Sequence, residues 1–102
     1  MKDVDTVQFG KALADETRQK IMRLCCCRQL SVTEIVDALD VAQPTVSHHL
    51  KILKDAGLVK VERKGKLAFY SLDQEQLAQA CCLVADNFAP LHPVELVQIR
   101  EE

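Results

Sequence analysis

The sequence lacks the features of membrane-spanning, exported and disordered proteins. None of its apolar runs approaches the ~20 residues that a bilayer-spanning helix needs, and residues 1–5 contain no apolar segment typical of a signal peptide. Only three glycines and three prolines interrupt the 102 residues, and there is no internal repeat or linker. We therefore expect one domain over residues 1–90, an acidic tail over residues 91–102, no membrane association and a cytoplasmic location.

Positive charge is also scarce overall, because the formal net charge is −2, but it is unevenly distributed. Residues 1–40 hold six lysines and arginines against seven acidic residues. Residues 41–66 hold six against two, whereas residues 67–102 hold one against six. Two of the three histidines, His48 and His49, also lie in this middle segment. A basic segment in an otherwise acidic chain is typical of a surface that binds an anionic partner such as nucleic acid.

The five cysteines form two contiguous clusters, Cys25–Cys27 and Cys81–Cys82. An odd count, the clustering and the lack of an export signal favour reduced thiols in a reducing compartment over a disulfide framework. Buried cysteines can simply fill a core, whereas thiolates are soft ligands that select soft metal ions. We expect Cys25 and Cys81 to lie on apolar helix faces and the other three on the flanks.

A helix-turn-helix is predicted in the middle of the chain. Ser31-Val32-Thr33-Glu34 fits a capping box, in which the first and fourth side chains cap the start of a short helix that ends near Leu39. Pro44 opens the next helix, and Gly57 ends it. The inward side of that helix is predicted to consist of Val46, Leu50 and Leu53. Two helices joined by so short a turn form a helix-turn-helix.

Elements on either side complete a winged plan. Apolar spacing predicts a first helix that ends near Ala14 and a second helix that Asp15 caps. Alternating residues then predict a β-hairpin with its turn at Lys64-Gly65, followed by a last helix that ends near Ala89. The apolar seam of that helix is predicted to contain Leu77, Cys81, Val84 and Phe88. The predicted fold is mainly α with a β-hairpin wing.

The fourth helix has a polar side suited to reading base pairs. At ~100° per residue, His48 and Lys51 lie opposite the apolar residues, flanked by Thr45 and Ser47. Recognition helices contact base edges in the major groove with such side chains near the N-terminus. His49 rotates toward the core and is predicted to pack rather than read bases. The hairpin residues expected to reach phosphates or a minor groove are Arg63, Lys64 and Lys66.

Three stretches of the chain match a known sequence pattern: Ala12–Arg18, Gln43–Lys51 and Ala56–Val59. In these stretches the chain resembles the ArsR/SmtB (arsenic-repressor) family of bacterial transcription regulators. The resemblance implies a homodimer that pairs through its first and last helices, represses an inverted-repeat operator and releases it on binding an inducer. It implies DNA contacts at the wing lysines and at Gln43, Thr45, Ser47 and His48. Ala42 stands where relatives often carry a capping serine, which costs the helix up to ~1 kcal/mol.

The inducer has to be inferred from this sequence, because members of the family place their sensor sites differently. At the position of the family's Cys-Val-Cys arsenic site this chain has Ser31-Val32-Thr33. His92 and Glu95 match only half of the zinc site that other members have on the last helix. The remaining candidates are Cys25, Cys26, Cys27, Cys81 and Cys82. We expect trivalent arsenic or antimony as the inducer, with another thiophilic metal ion or redox and persulfide chemistry as alternatives.

The geometry of the sensor site stays open at this point. Three consecutive helical residues point ~100° apart, so Cys25, Cys26 and Cys27 cannot reach one atom from an undistorted helix. Either the helix unwinds at Cys27 or the site takes sulfur atoms from both clusters. Linking the second and last helices would move the two recognition helices away from their ~34–36 Å spacing. The coupling needed is ~1–3 kcal/mol.

Two other classes of function fit the composition less well. An enzyme with a thiol nucleophile is not expected, because there is no Cys-x-x-Cys and no acidic residue placed to orient His48 or His92. A thiol-rich metal buffer, or a winged helix that binds proteins, would lack operator preference. A DNA-binding repressor instead loses affinity steeply with salt, because its phosphate contacts release counterions.

Overall fold

The computed structural model describes residues 5–89, which form helices packed beside a small antiparallel sheet. The order of elements is the predicted one, a mainly α winged helix-turn-helix with one additional short strand. The elements are α1 Thr6–Leu13, α2 Glu16–Leu24, β1 Leu30–Ser31, α3 Val32–Leu39, α4 Gln43–Asp55, β2 Val59–Lys64, β3 Leu67–Leu72 and α5 Gln74–Phe88. No helix within the described range is both long and apolar enough to cross a membrane.

Side-chain caps define where most of the helices begin. Asp15 accepts a hydrogen bond from the amide of Arg18 at 3.0 Å and starts α2. The capping box at α3 is confirmed, since Ser31 and Glu34 each accept a hydrogen bond from the other's amide. α4 is the exception: Ala42 at its N-cap makes no side-chain hydrogen bond, as the sequence predicts.

The core lies where α2, α3, α4 and the start of β2 meet. Its largest fully buried side chains include Ile21 from α2 and Ile35 from α3. The predicted inward residues of α4, Val46, Leu50 and Leu53, are buried as well. Gly57 follows α4 with φ of +77°, and the chain then enters β2 through buried Leu58. This packing fixes which side of α4 faces solvent.

The sheet has the order β1-β3-β2 and is antiparallel throughout. The hairpin turn consists of Gly65 and Lys66, because Lys64 pairs with Leu67; the predicted turn at Lys64-Gly65 was one residue early. A two-residue turn with glycine at its first position, where φ is +64°, follows the right-handed twist of the strands. β1 was not predicted, since two residues carry no periodic signal.

The two outer helices bury different residues from those that the apolar spacing predicted. In α1, Phe9 and Ala12 are buried, whereas Val7 is 63% exposed. In α5, the inward residues are Leu77, Ala80 and Val84. Phe88, expected on that seam, is 74% exposed. Both helices therefore present apolar side chains to solvent.

Candidate nucleic-acid interface and thiol cluster

One side of α4 is polar and open to solvent from its first turn onward. The residues predicted to face DNA are all exposed: Gln43, Thr45, Ser47, His48 and Lys51. Lys51 lies 3.1 Å from the carboxylate of Asp55 one turn later, and this surface ion pair is weak enough to exchange for a phosphate. Donors and acceptors are thus concentrated at the end of the helix that reads base edges in helix-turn-helix proteins.

The wing carries exposed cations, but they are not equivalent. Arg63 and Lys66 are exposed at the hairpin tip. Lys64 Nζ donates to Oε1 of Gln29 at 3.2 Å and lies 5.4 Å from the centre of the Phe69 ring. Lys64 is therefore held against the sheet, near the start of β1, in a defined position.

His49 packs inward, as predicted, and its ring takes part in a polar cluster. The side chain is only 12% exposed. Its Nδ1 lies 3.0 Å from Nη1 of Arg18, and its Nε2 lies 3.8 Å from Oδ2 of Asp15. Burial lowers the pKa of His49 from its ordinary value. The hydrogen bond from the Arg18 amide is the main cause of the lowered pKa of Asp15.

The first thiol cluster lies where α2 ends. Cys25 is the C-cap and is completely buried, and this burial raises the pKa of its thiol to about 11. Cys26 and Cys27 follow outside the helix, with their sulfur atoms 3.2 Å apart. The hydrogen bond with Cys27 is the main cause of the raised pKa of Cys26. The helix thus unwinds before Cys27, which frees two adjacent thiols from the helical spacing.

The second thiol cluster differs from its prediction. Cys81 is exposed rather than part of the apolar seam, because Ala80 occupies the inward position one residue earlier. Cys82 is exposed too, and it shares an apolar surface pocket with Leu83. Within residues 5–89 no three His, Cys, Asp or Glu side chains come close enough to hold a metal ion. His92 and Glu95 lie outside the described residues.

Comparison with known proteins identifies the family. A family model described as bacterial regulatory protein, arsR family, matches residues 15–61. The chain is 37% identical over 97 residues to a Staphylococcus aureus homolog of the cadmium resistance transcriptional regulatory protein CadC, covering 94% of this chain and 76% of that protein. The chain belongs to the ArsR family. It is also 38% identical over 82 residues to the arsenical resistance operon repressor of Bacillus subtilis, covering 74% of this chain and 78% of the repressor.

Solved structures of ArsR-family regulators have the same fold. Reduced HlyU from Vibrio cholerae N16961 superimposes with a TM-score of 0.64 at 30% identity, covering 82% of this chain and 88% of HlyU. The relatives are transcriptional regulators and not enzymes, so this ArsR-family chain is a DNA-binding transcriptional repressor.

Several contacts of this ArsR-family chain were not predicted from the sequence. The carbonyl oxygen of Cys25 accepts a hydrogen bond from the amide of Leu72 at 2.9 Å. The carbonyl oxygen of Cys26 accepts one from the side-chain amide of Gln74, at the start of α5. Gln29 contacts both Glu62 and Lys64 of the wing. These contacts join distant parts of the chain through short polar side chains, and no local pattern announces them.

Proposed function

We propose that this chain is a homodimeric, cytoplasmic repressor that grips an inverted-repeat operator with α4 and the wing of each protomer. The observation that carries the proposal is the exposed polar start of α4 beside the cationic β2–β3 tip. In a dimer, two such helices meet half-sites ~34–36 Å apart. The apolar surface for pairing comes from α1 and α5, where Val7, Leu83 and Phe88 are available.

Roles within the interface follow from side-chain chemistry. The residues assigned to base edges are Gln43, Thr45, Ser47 and His48, which offer hydrogen bonds and carry no fixed charge. Phosphates are assigned to Lys51 and to the wing residues Arg63, Lys64 and Lys66. Base contacts provide sequence selectivity, and phosphate contacts provide affinity that depends on salt.

Two variants test this division of roles. We expect His48→Ala to abolish preference for the operator while the protein stays folded, because a base contact is lost. Replacing Lys64 and Lys66 together with glutamine should weaken binding to every sequence alike and reduce the salt slope by about two contacts' worth. Lys11→Gln, a lysine of α1 lost away from the interface, is the control. Unchanged selectivity in His48→Ala would remove this residue from the reading face.

The inducer site we propose is the adjacent pair Cys26 and Cys27, with trivalent arsenic or antimony as the ligand. The pair opens into a surface pocket whose rim carries Lys20, Arg23 and Arg28. This cationic rim repels divalent metal ions, whereas arsenous acid is neutral at physiological pH. Two As–S bonds replace two As–O bonds, each thiol proton leaves with a hydroxide as water, and the oxidation state does not change.

The third ligand of the metalloid is a retained hydroxide or a cysteine from the partner protomer, for which Cys81 and Cys82 are candidates. The loop that holds Cys26 is hydrogen-bonded to the end of β3 and to Gln74 of α5. Ligand binding in this loop therefore has a direct route to the wing and to the helix proposed to pair the dimer.

A redox sensor is the second candidate, because the two sulfur atoms are already 3.2 Å apart. Oxidation by a peroxide or polysulfide would form a Cys26–Cys27 disulfide, with two electrons passing to the oxidant and two protons released. Adjacent Cα atoms lie ~3.8 Å apart, below the ~4.4–6.8 Å usual for disulfides. A bridging arsenic atom avoids this strain, which favours the metalloid.

Operator release separates the candidates. Arsenite, cadmium, zinc and a polysulfide are added in parallel to the operator complex of the whole chain, with mass spectrometry of the thiols. We expect release by arsenite in the unaltered chain and in Cys81→Ser/Cys82→Ser. Cys26→Ser/Cys27→Ser should bind DNA normally and resist arsenite. If only the α5 pair matters, the site belongs to α5; if only polysulfide acts, the chain is a redox sensor.

A further inference from the structure

Arg18, in the first turn of α2, joins three helices through one guanidinium group. Its Nε donates to the carbonyl oxygen of Ala12 at 2.9 Å, and its Nη2 donates to that of Lys11 at 2.6 Å. These carbonyls belong to the last turn of α1, where oxygens lack helical partners and attract cations. The third nitrogen, Nη1, lies 3.0 Å from Nδ1 of His49 on α4. Arg18 therefore connects α1 to the helix assigned to base reading.

This contact determines the protonation state of His49. A guanidinium group only donates hydrogen bonds, so Nδ1 must be an unprotonated acceptor and the ring proton sits on Nε2. Nε2 in turn faces the carboxylate of Asp15 at 3.8 Å. Burial lowers the pKa of His49, the charge of Asp15 opposes this, and the charges of Arg18 and His48 add to it. Among the described residues these are the charged groups that act on the ring, and α1 contributes its two carbonyl oxygens.

The position of His49 on α4 makes the link relevant to DNA. The inward contacts of α4 through Val46, Leu50 and Leu53 are apolar and therefore not directional. The contact between Arg18 and His49 is directional and lies one residue after exposed His48. We propose that Arg18 is a positioning residue that holds neutral His49, fixes the rotation of α4 about its axis, and releases α4 when His49 is protonated. This inference rests on the proposed DNA interface.

The sign of the pH effect distinguishes this link from ordinary histidine titration. Protonation of exposed His48 would bring a cation to the phosphates and raise affinity in acid. Protonation of His49 removes the acceptor for Arg18 and places two cations side by side, so affinity falls. Because the pKa of His49 is lowered from 6.5, folding stability declines as pH falls from 6.5 toward the folded-state pKa. Operator affinity declines as pH falls through the folded-state pKa itself.

Operator affinity of the full chain, measured against pH at constant salt, tests the proposal. The control variant is His49→Gln, whose amide oxygen still accepts from Arg18 but does not titrate. His48 titrates in both proteins, so the ratio of their affinities reports His49 alone. We expect the affinity of the unaltered chain relative to His49→Gln to fall about three- to tenfold between about pH 7.5 and 5.5. A ratio that does not change with pH would overturn the proposal.

A second measurement needs no DNA and no variant to fold. Nitrogen-15 NMR of the free protein should show His49 as the Nε2–H tautomer with a pKa below 6.5. In Arg18→Gln this pKa should rise and operator affinity should drop about tenfold at neutral pH, while Lys11→Gln changes neither. An Nδ1–H tautomer would refute the link whatever the DNA results. If the tautomer is as expected but the His48 and wing variants bind normally, the proposed interface is at fault instead.

Discussion

Cysteine has two different chemistries within three consecutive positions of this chain. Cys25 is sealed in the core at the end of α2, and Cys27 is exposed two residues later. Desolvation penalises a thiolate, and it raises the pKa of Cys25 to about 11. Only the thiolate is nucleophilic, so Cys25 is a small core residue and the proposed chemistry falls to Cys26 and Cys27.

Alkylation rates test this difference between neighbouring residues. Under native conditions at about pH 7.5, we expect iodoacetamide to modify Cys27 more than about tenfold faster than Cys25, because the buried thiol is both protonated and inaccessible. Peptide mass spectrometry gives the two rates, and unfolding the protein in urea should make them similar. Equal rates in the folded protein would contradict the burial of Cys25.

At the scale of elements, α4 has the weakest start of the helices with described caps. Its N-cap residue, Ala42, has an extended backbone with φ of −58° and ψ of 145° but no side-chain oxygen to offer. α3, by contrast, starts with a complete capping box at Ser31. The helix that carries the proposed base contacts is therefore held mainly by its packing and not by its own cap.

Adding the missing cap should stabilise the protein. We expect Ala42→Ser to raise the free energy of unfolding by about 0.5–1 kcal/mol, because the hydroxyl can accept from an amide of the first turn. Ser31→Ala, which removes an existing cap, should lower it by about 1 kcal/mol. Urea unfolding of both variants measures the effect. A loss of stability in Ala42→Ser would show that this turn has no room for the hydroxyl.

At the scale of the whole molecule, α1 and α5 have apolar surface that one chain does not cover. Leu83 shares an apolar pocket with Cys82 on the outer side of α5, and Phe88 is mostly exposed one turn later. Exposed apolar side chains grouped on one helix are typical of an interface. The same helix begins at Gln74, which contacts the thiol loop, so pairing and sensing would share one element.

Placing a charge on that surface tests the proposed dimer. We expect Leu83→Glu to give a monomer in sedimentation experiments and to weaken operator binding by more than about tenfold, because one chain holds only one half-site. Asp86→Asn on the same helix is the control for altered charge. The circular dichroism spectrum should stay the same, since Leu83 does not pack in the core. A variant that remains dimeric would place the interface elsewhere.

The sequence by itself determined the elements whose signals are local. The capping box at Ser31, the inward spacing of Val46, Leu50 and Leu53, and the cationic hairpin are short-range patterns, and the structure has each of them. From these the exposure of Ser47 and His48 followed directly, because a helix with one buried side must present the other.

Only the tertiary structure decided the features that depend on distant partners. The seam of α5 was misjudged because Ala80 and Cys81 are both small, and only packing against the rest of the domain selects between them. The pairing of β1 with β3 and the link from Arg18 to His49 join residues more than thirty positions apart. Such contacts form when helices meet at a particular angle and distance, which local spacing along the chain does not encode.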